Sequence, residues 1–246
     1  MQRLDIAGDA QRALYTLENG GVVLIPHSCG YGLFGGTEES TNRIFSTKQR
    51  AGHKRNTMLC DMETQREIHA LDCRAQDMIE AIAVDYDLPI CAVAPYRVDH
   101  PLLRNLSADL LRGSTANGTI NLYCNAGIFP AELCRLARVA NQIIIGSSAN
   151  LTGTGQRFRV SDVQPEVRAI ADLVIDYGLC RYHTFKRSAT IINFATLEVV
   201  RIGACYAQIA DILKRHFDLE IPADPGLDEN PSGHFQEFAL RDKDSY

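Results

Sequence analysis

The chain has 246 residues, is 46% hydrophobic and 22% charged, and carries a formal net charge of −5, an ordinary composition with enough apolar mass to bury a core. Its apolar runs, such as residues 22–25 and 143–145, are strand-sized and far below the roughly 20 residues of a membrane helix, so no membrane span is expected. The charge argues at first against a polyanionic partner, but from Asp218 onward eight acids stand against two bases, so the preceding residues are close to neutral; basic clusters must be read locally.

Asp5 falls where a secretory signal would place its apolar block, so a cytoplasmic protein is expected. Residues 8–19 space Ala10, Leu14 and Leu17 as a helix does, closed by Gly20 and Gly21. Residues 22–25 form a buried strand ended by Pro26, and residues 26–33 follow as a glycine-rich loop. A helix over 38–47 runs into the basic segment 48–55; then come a strand at 57–60, helix over 63–85, strands at 90–94 and 119–124, and a helix at 129–139. A strand at 142–145 empties into a small, polar loop at 147–155. A helix around 161–171, β runs at 173–176, 189–194 and 198–202, and an amphipathic helix at 206–217 complete the order. Strands alternate with helices, except for the close pair near 189–202, which predicts a mixed sheet in one α/β domain over residues 1–217. From Ile221 periodicity is lost, so residues 218–246 read as an acidic, flexible tail.

The eight cysteines are at least ten residues apart and the seven histidines equally dispersed. Without close ligand pairs a metal site is not expected, and the thiols read as reduced small hydrophobes. Two segments have the chemistry for an anion. Lys48 and Arg50, two residues apart just after a helix, can converge on one phosphate, with Lys54 and Arg55 close behind; the same residues suit a solvated helix end complementing the macrodipole. The loop containing Ser148, Asn150 and Gly153 follows a buried strand, where ligands of α/β proteins bind, although turn formation alone also explains it. No Gly-Lys-Ser/Thr phosphate loop is present. His27 suits either a substrate contact or a histidine satisfied by loop backbone, and Cys29 lacks a neighbouring base that would make it a nucleophile.

The order of these pieces is informative. Gly20-Gly21-Val22-Val23-Leu24-Ile25-Pro26 with Gly30-Tyr31-Gly32-Leu33, Arg43-Ile44-Phe45 leading to Lys48-x-Arg50, Ser148-Ala149-Asn150-Leu151-Thr152-Gly153, Ala189-Thr190-Ile191-Ile192-Asn193 and Val200-Arg201-x-Gly203 together resemble the YrdC/YciO-type domain, the fold of threonylcarbamoyl-adenylate synthase. Residues 56–61 look closer to the YciO branch. The resemblance implies a twisted mixed sheet flanked by helices around a basic concave pocket. It implies an enzyme that condenses bicarbonate, L-threonine and ATP, with Mg²⁺ held mainly by the nucleotide, into threonylcarbamoyl-adenylate and pyrophosphate for modification of transfer RNA. By the same resemblance Lys48 and Arg50 would be catalytic. Ser148, Asn150, Thr190 and Arg201 would join them at the nucleotide, and His27, Ser28, Tyr31 and Thr57 would hold the amino acid.

The chain departs from the pattern where His27 replaces a usual threonine, where Cys124-Asn125-Ala126 replaces an Arg-x-Pro, where Pro-Gly-x-x-Thr is absent, and where Ala189 replaces a serine. These departures keep two alternatives open. One is a YciO-like protein that binds nucleotide, transfer RNA or double-stranded RNA without synthesis; the other is a carbamoyl-adenylate enzyme with a different donor or acceptor.

Overall fold

The structure is a computed structural model that describes residues 3–48 and 55–235. Ten strands form one sheet: β1 (Val23–His27), β2 (Gly30–Gly35), β3 (Thr57–Leu59), β4 (Ile90–Pro95), β5 (Thr115–Ala116), β6 (Thr119–Cys124), β7 (Ile145–Ser148), β8 (Leu173–Val174), β9 (Ile191–Asn193) and β10 (Glu198–Arg201). Their order is β10-β9-β4-β6-β3-β7-β2-β1-β8, with β5 paired to β6. Three contacts are parallel, β1 with β8, β3 with β6 and β4 with β9, and the rest antiparallel. The sheet is therefore mixed, twisted and flanked by helices, as expected.

Helices arise where apolar spacing and caps coincide. Ile6–Glu18 is capped by Asp5, whose carboxylate accepts from the Gly8 amide, and buries Ala10, Ala13 and Leu17. Glu38–Thr47 starts at Thr37 in a reciprocal box with Ser40. Helices Ile6–Glu18 and Ile128–Val139 pack on each other and on β1. The helical stretch read at 63–85 divides into Met62–Ile68, Cys73–Glu80 and a π turn, Ala81–Asp85. Among the described residues no helix is long and apolar enough to cross a membrane.

Three expectations are corrected. The glycine-rich segment after Pro26 is not an open loop: it is β2, joined to β1 by a tight turn with His27 opposite Gly30. Glycine weakens strands in general, but here a side chain at Gly32 would strike the Phe34 ring, which lies over it. The strand read at 142–145 pairs later, as Ile145–Ser148, with Ile145, Gly146, Ser147 and Ser148 meeting β2. The helix read at 161–171 is reduced to a 3-10 turn, Val160–Asp162, and Pro165–Ala169.

The segment expected to be a solvated tail from residue 218 is anchored over its described part. Leu219, Ile221 and Phe235 pack against the main core. Tyr206 Oη donates to the Pro222 carbonyl, and the Ile202 amide donates to the Gly233 carbonyl. Arg187, only 5% exposed, holds this strap through Asp224 (2.7 Å) and the carbonyls of Gly226 (2.9 Å) and Asn230. Composition did not reveal this because the contacts are made by one buried cation and backbone groups, not by periodic apolar residues. Replacing Arg187 by Met, which keeps its stem, is expected to cost about 2–3 kcal/mol and to make residues 219–235 the first site of limited proteolysis; unchanged resistance would contradict this anchoring.

Candidate functional site

Cross-strand partners share a face of a sheet. The registers Arg201↔Ile191↔Cys91↔Tyr123↔Leu59 set one row on one face. The registers Thr57↔Gly146↔Phe34, Ser148↔Gly32↔Ile25 and His27↔Gly30 continue that face to β1. β1 and β6 are four strand steps apart, about 19 Å across a flat sheet. Yet the rings of His27 and Tyr123 meet edge to face at 5.3 Å, with Tyr123 Oη 3.1 Å from His27 Nδ1. The sheet is therefore curled, and this face is concave.

The concave face gathers four of the residues singled out in the sequence, His27, Thr57, Ser148 and Arg201. Arg201 reaches it through a bulge: Val199 pairs with Ile192, but Arg201 and not Val200 pairs with Ile191, which turns its side chain away from the Thr190 side. Its Nε and Nη2 donate to the Ala189 carbonyl at 3.0 and 2.7 Å. Burial holds its pKa below the ordinary value, and its electrostatic neighbours are Cys91, Cys29 and Tyr123. Among the described residues no carboxylate pairs with Arg201, so its charge on the concave face is not offset by an ion pair.

Lys48 caps the helix Glu38–Thr47 and is 2% exposed. Its ammonium donates to the carbonyls of Ser148 and Asn150, the latter at 2.6 Å, and its own carbonyl accepts from the Thr152 amide and hydroxyl. The loop carrying Ser148 and Asn150 is thus built around this lysine. The Asn150 side chain donates to the Leu151 carbonyl (2.6 Å). Arg50 and Lys54 lie outside the described residues.

Two further residues singled out in the sequence do not face this concavity. Tyr31 pairs with Pro26 and sits with Leu24 and Leu33 in the core on the opposite face. Its hydroxyl is 2.9 Å from both Asp176 Oδ1 and the Gly178 carbonyl and accepts from the Tyr177 amide. Thr190 is fully buried. Its hydroxyl donates to the Ala204 carbonyl (3.0 Å) and accepts from the Gly203 amide (3.1 Å). Both hydroxyls are engaged in holding the fold, because a strand motif fixes residue types but not which face each one takes. Ser28 lies in the β1–β2 turn, its amide and hydroxyl donating to the Ala126 carbonyl. The segment standing in place of the Arg-x-Pro therefore secures that turn.

Sequence reading missed Tyr123 and Asn121. Their signal was two polar side chains at alternate positions of an otherwise apolar strand. Asn121 Nδ2 donates to Thr57 Oγ1 at 3.0 Å, while its Oδ1 is buried without a partner. Cys29 lies against Tyr123 and burial pushes its thiol far above the ordinary range, so it is no nucleophile. All cysteines except Cys73 are buried and none is in a disulfide. A shallow depression of about 630 Å³ along Glu38, Glu39, Asn42, Arg43 and Ser46 involves none of these groups, and its carboxylates suit no phosphate.

A family model for Sua5, YciO and YrdC proteins, described as telomere recombination, matches residues 15–203. The chain belongs to this family. Among solved structures, a hypothetical protein of Streptococcus mutans has a TM-score of 0.69 at 17% identity, over 86% of this chain and 93% of that one. P. abyssi Sua5 complexed with L-threonine has a TM-score of 0.68 at 18% identity, over 90% of this chain but 61% of its own, so the present chain spans about three fifths of that protein. E. coli YciO has a TM-score of 0.57 at 17% identity, over 75% of this chain and 82% of that one. No curated protein matches the sequence. At these identities the likeness establishes the fold.

The buried histidines give a test of this environment. Burial, with the nearby charge of Arg201, holds His27 down to about 3, and burial holds His69 down to about 4. Unfolded histidines titrate near 6.5, so below that pH the unfolded chain binds more protons and stability falls as pH drops. Between pH 7 and 5 the loss should approach about 1.4 kcal/mol per pH unit for each histidine. Urea titrations should show it, and His69→Gln should remove about half of the slope. A flat profile would contradict the neutral burial of these rings.

Proposed function

We propose that the protein is an adenylate-forming transferase that joins bicarbonate, a small amino acid and ATP into an aminoacyl-carbamoyl adenylate with release of pyrophosphate, L-threonine being the favoured amino acid. The observation that carries this reading is Arg201 on the concave face, a cation fixed by the Ala189 carbonyl and left without a carboxylate among the described residues. Such a group favours an anionic ligand. The family resemblance is in keeping with a nucleotide and an activated carboxyl as that anion, and the L-threonine in complex with P. abyssi Sua5 supports an amino acid as acceptor.

In this reaction the amine of the amino acid adds to the carbon of bicarbonate with loss of water. An oxygen of the resulting carbamate then attacks the α-phosphorus of ATP, and the bond to pyrophosphate breaks. Magnesium arrives with the triphosphate as part of the substrate. The chain's contribution is positioning and charge. Lys48 orders the Ser148–Asn150 backbone, Arg50 would supply a further cation, and Arg201 would offset negative charge on the concave face. The product would serve transfer RNA modification.

Pyrophosphate release from ATP should therefore require both bicarbonate and an amino acid; release independent of either, or none with any amino acid, would refute the synthase reading. Lys48→Gln is expected to lower turnover by about 100-fold or more with a loss of about 1–2 kcal/mol in stability. Stability loss with unchanged turnover would leave Lys48 only its structural role.

A further inference from the structure

Two of the buried thiols meet where β3 and β6 end. Leu59 and Tyr123 are register partners on this parallel pair. The next residue along each chain is a cysteine: Cys60, whose amide donates to the Tyr123 carbonyl at 3.2 Å and so continues the pairing, and Cys124. Their sulfurs are 3.9 Å apart. Neighbouring strands run about 4.8 Å apart, inside the range of roughly 4.4–6.8 Å between Cα atoms that a disulfide spans. The sulfurs need to close by about 2 Å to bond, which is within reach of side-chain rotation. The two thiols differ in access, since Cys60 is 5% exposed and Cys124 fully buried. The hydrogen bond with Cys124 and burial push the Cys60 thiol well above its ordinary range, so Cys60 carries little thiolate at neutral pH and the pair rests reduced.

We infer that Cys60 and Cys124 form a redox site, a dithiol that a hydroperoxide converts to a disulfide and a small thiol restores. Cys60, the more accessible sulfur, loses its proton and attacks one oxygen of hydrogen peroxide. The O–O bond breaks, the departing hydroxide takes the proton, and a sulfenic acid and one water result. The Cys124 sulfur then attacks the Cys60 sulfur, the S–O bond breaks, and the hydroxyl leaves as a second water with the Cys124 proton. Two sulfurs together lose two electrons and the peroxide gains them. The bridge acts on both of its flanks. Asp61, beside Cys60, accepts from the Thr64 amide (2.8 Å) and from Arg138 Nε (3.0 Å). Ala126, two residues after Cys124, accepts from the Ser28 amide (2.6 Å) and hydroxyl (2.9 Å). A covalent link between Cys60 and Cys124 thus ties the start of the helix Met62–Ile68 to the turn that joins β1 to β2, whichever reaction the concave face serves.

The test treats the full chain with hydrogen peroxide, in a Cys73→Ser background because Cys73 is exposed and would consume oxidant first. The protein should lose a pair of thiols and about 2 Da, yield linked peptides carrying Cys60 and Cys124, and return to the dithiol with dithiothreitol. Bridge formation should quicken about 10-fold per pH unit from pH 7 to 9, because thiolate supply limits it. Cys60→Ser and Cys124→Ser should each prevent the bridge. Cys134→Ser, at an electrostatic neighbour of Cys60, should leave it intact. Hydrogen exchange at the Thr64 and Ser28 amides should slow about 10-fold on oxidation, as local opening is restricted. Thiols that survive the treatment, a bridge that includes Cys134, or oxidation of Cys60 alone to sulfinic acid would overturn the redox site. A bridge that leaves both amides exchanging as before would overturn its action on the turn.

Discussion

The contact between His27 and Tyr123 is the constraint on which the arrangement depends. Two side chains that a flat sheet would hold about 19 Å apart touch because the strands between them curl. Small residues line the intervening path: a side chain on Gly32 would collide with the Phe34 ring, and one on Gly146 would collide with the Leu33 carbonyl. The glycines thus serve close backbone approach and an aromatic cover. Without that curvature Arg201 at one end of the sheet and His27 at the other would not share an electrostatic environment.

The two faces divide the work. On the convex side Tyr31 and Thr190 use their hydroxyls to tie β2 to the segment after β8 and β9 to the segment after β10. On the concave side polar groups are held but not saturated. Lys48 links the two tasks, since its ammonium sets the carbonyls of the Ser148–Asn150 loop. A lysine committed in this way fixes the shape of the loop that carries Ser148 and Asn150.

Much of the fold was legible because burial in helices such as Tyr206–Phe217 and strands such as Ile90–Pro95 imposes periodicity on the sequence. What was hidden in the strand motifs shares one cause: it depends on which face a strand residue takes. Tyr31 and Thr190 take the convex face. Arg201 is brought to the concave face by a bulge. Tyr123 and Asn121 share that concave face but sit in a stretch that reads as core. Motif order identified the family, whereas the register decided which motif residues meet.

The strap after Phe217 has a consequence for the edge of the sheet. β10 is the outermost strand on its side, and its Ile202 amide would present an open donor row were it not paired to Gly233, with Arg201 bridged to His234. An uncovered edge invites pairing with the edge of another molecule. At the opposite edge β8 has only two residues and offers little to pair with. The strap up to residue 235 is thus a selvedge: it covers the edge of a strongly curved sheet, next to Arg201, where a neighbour's strand could otherwise pair.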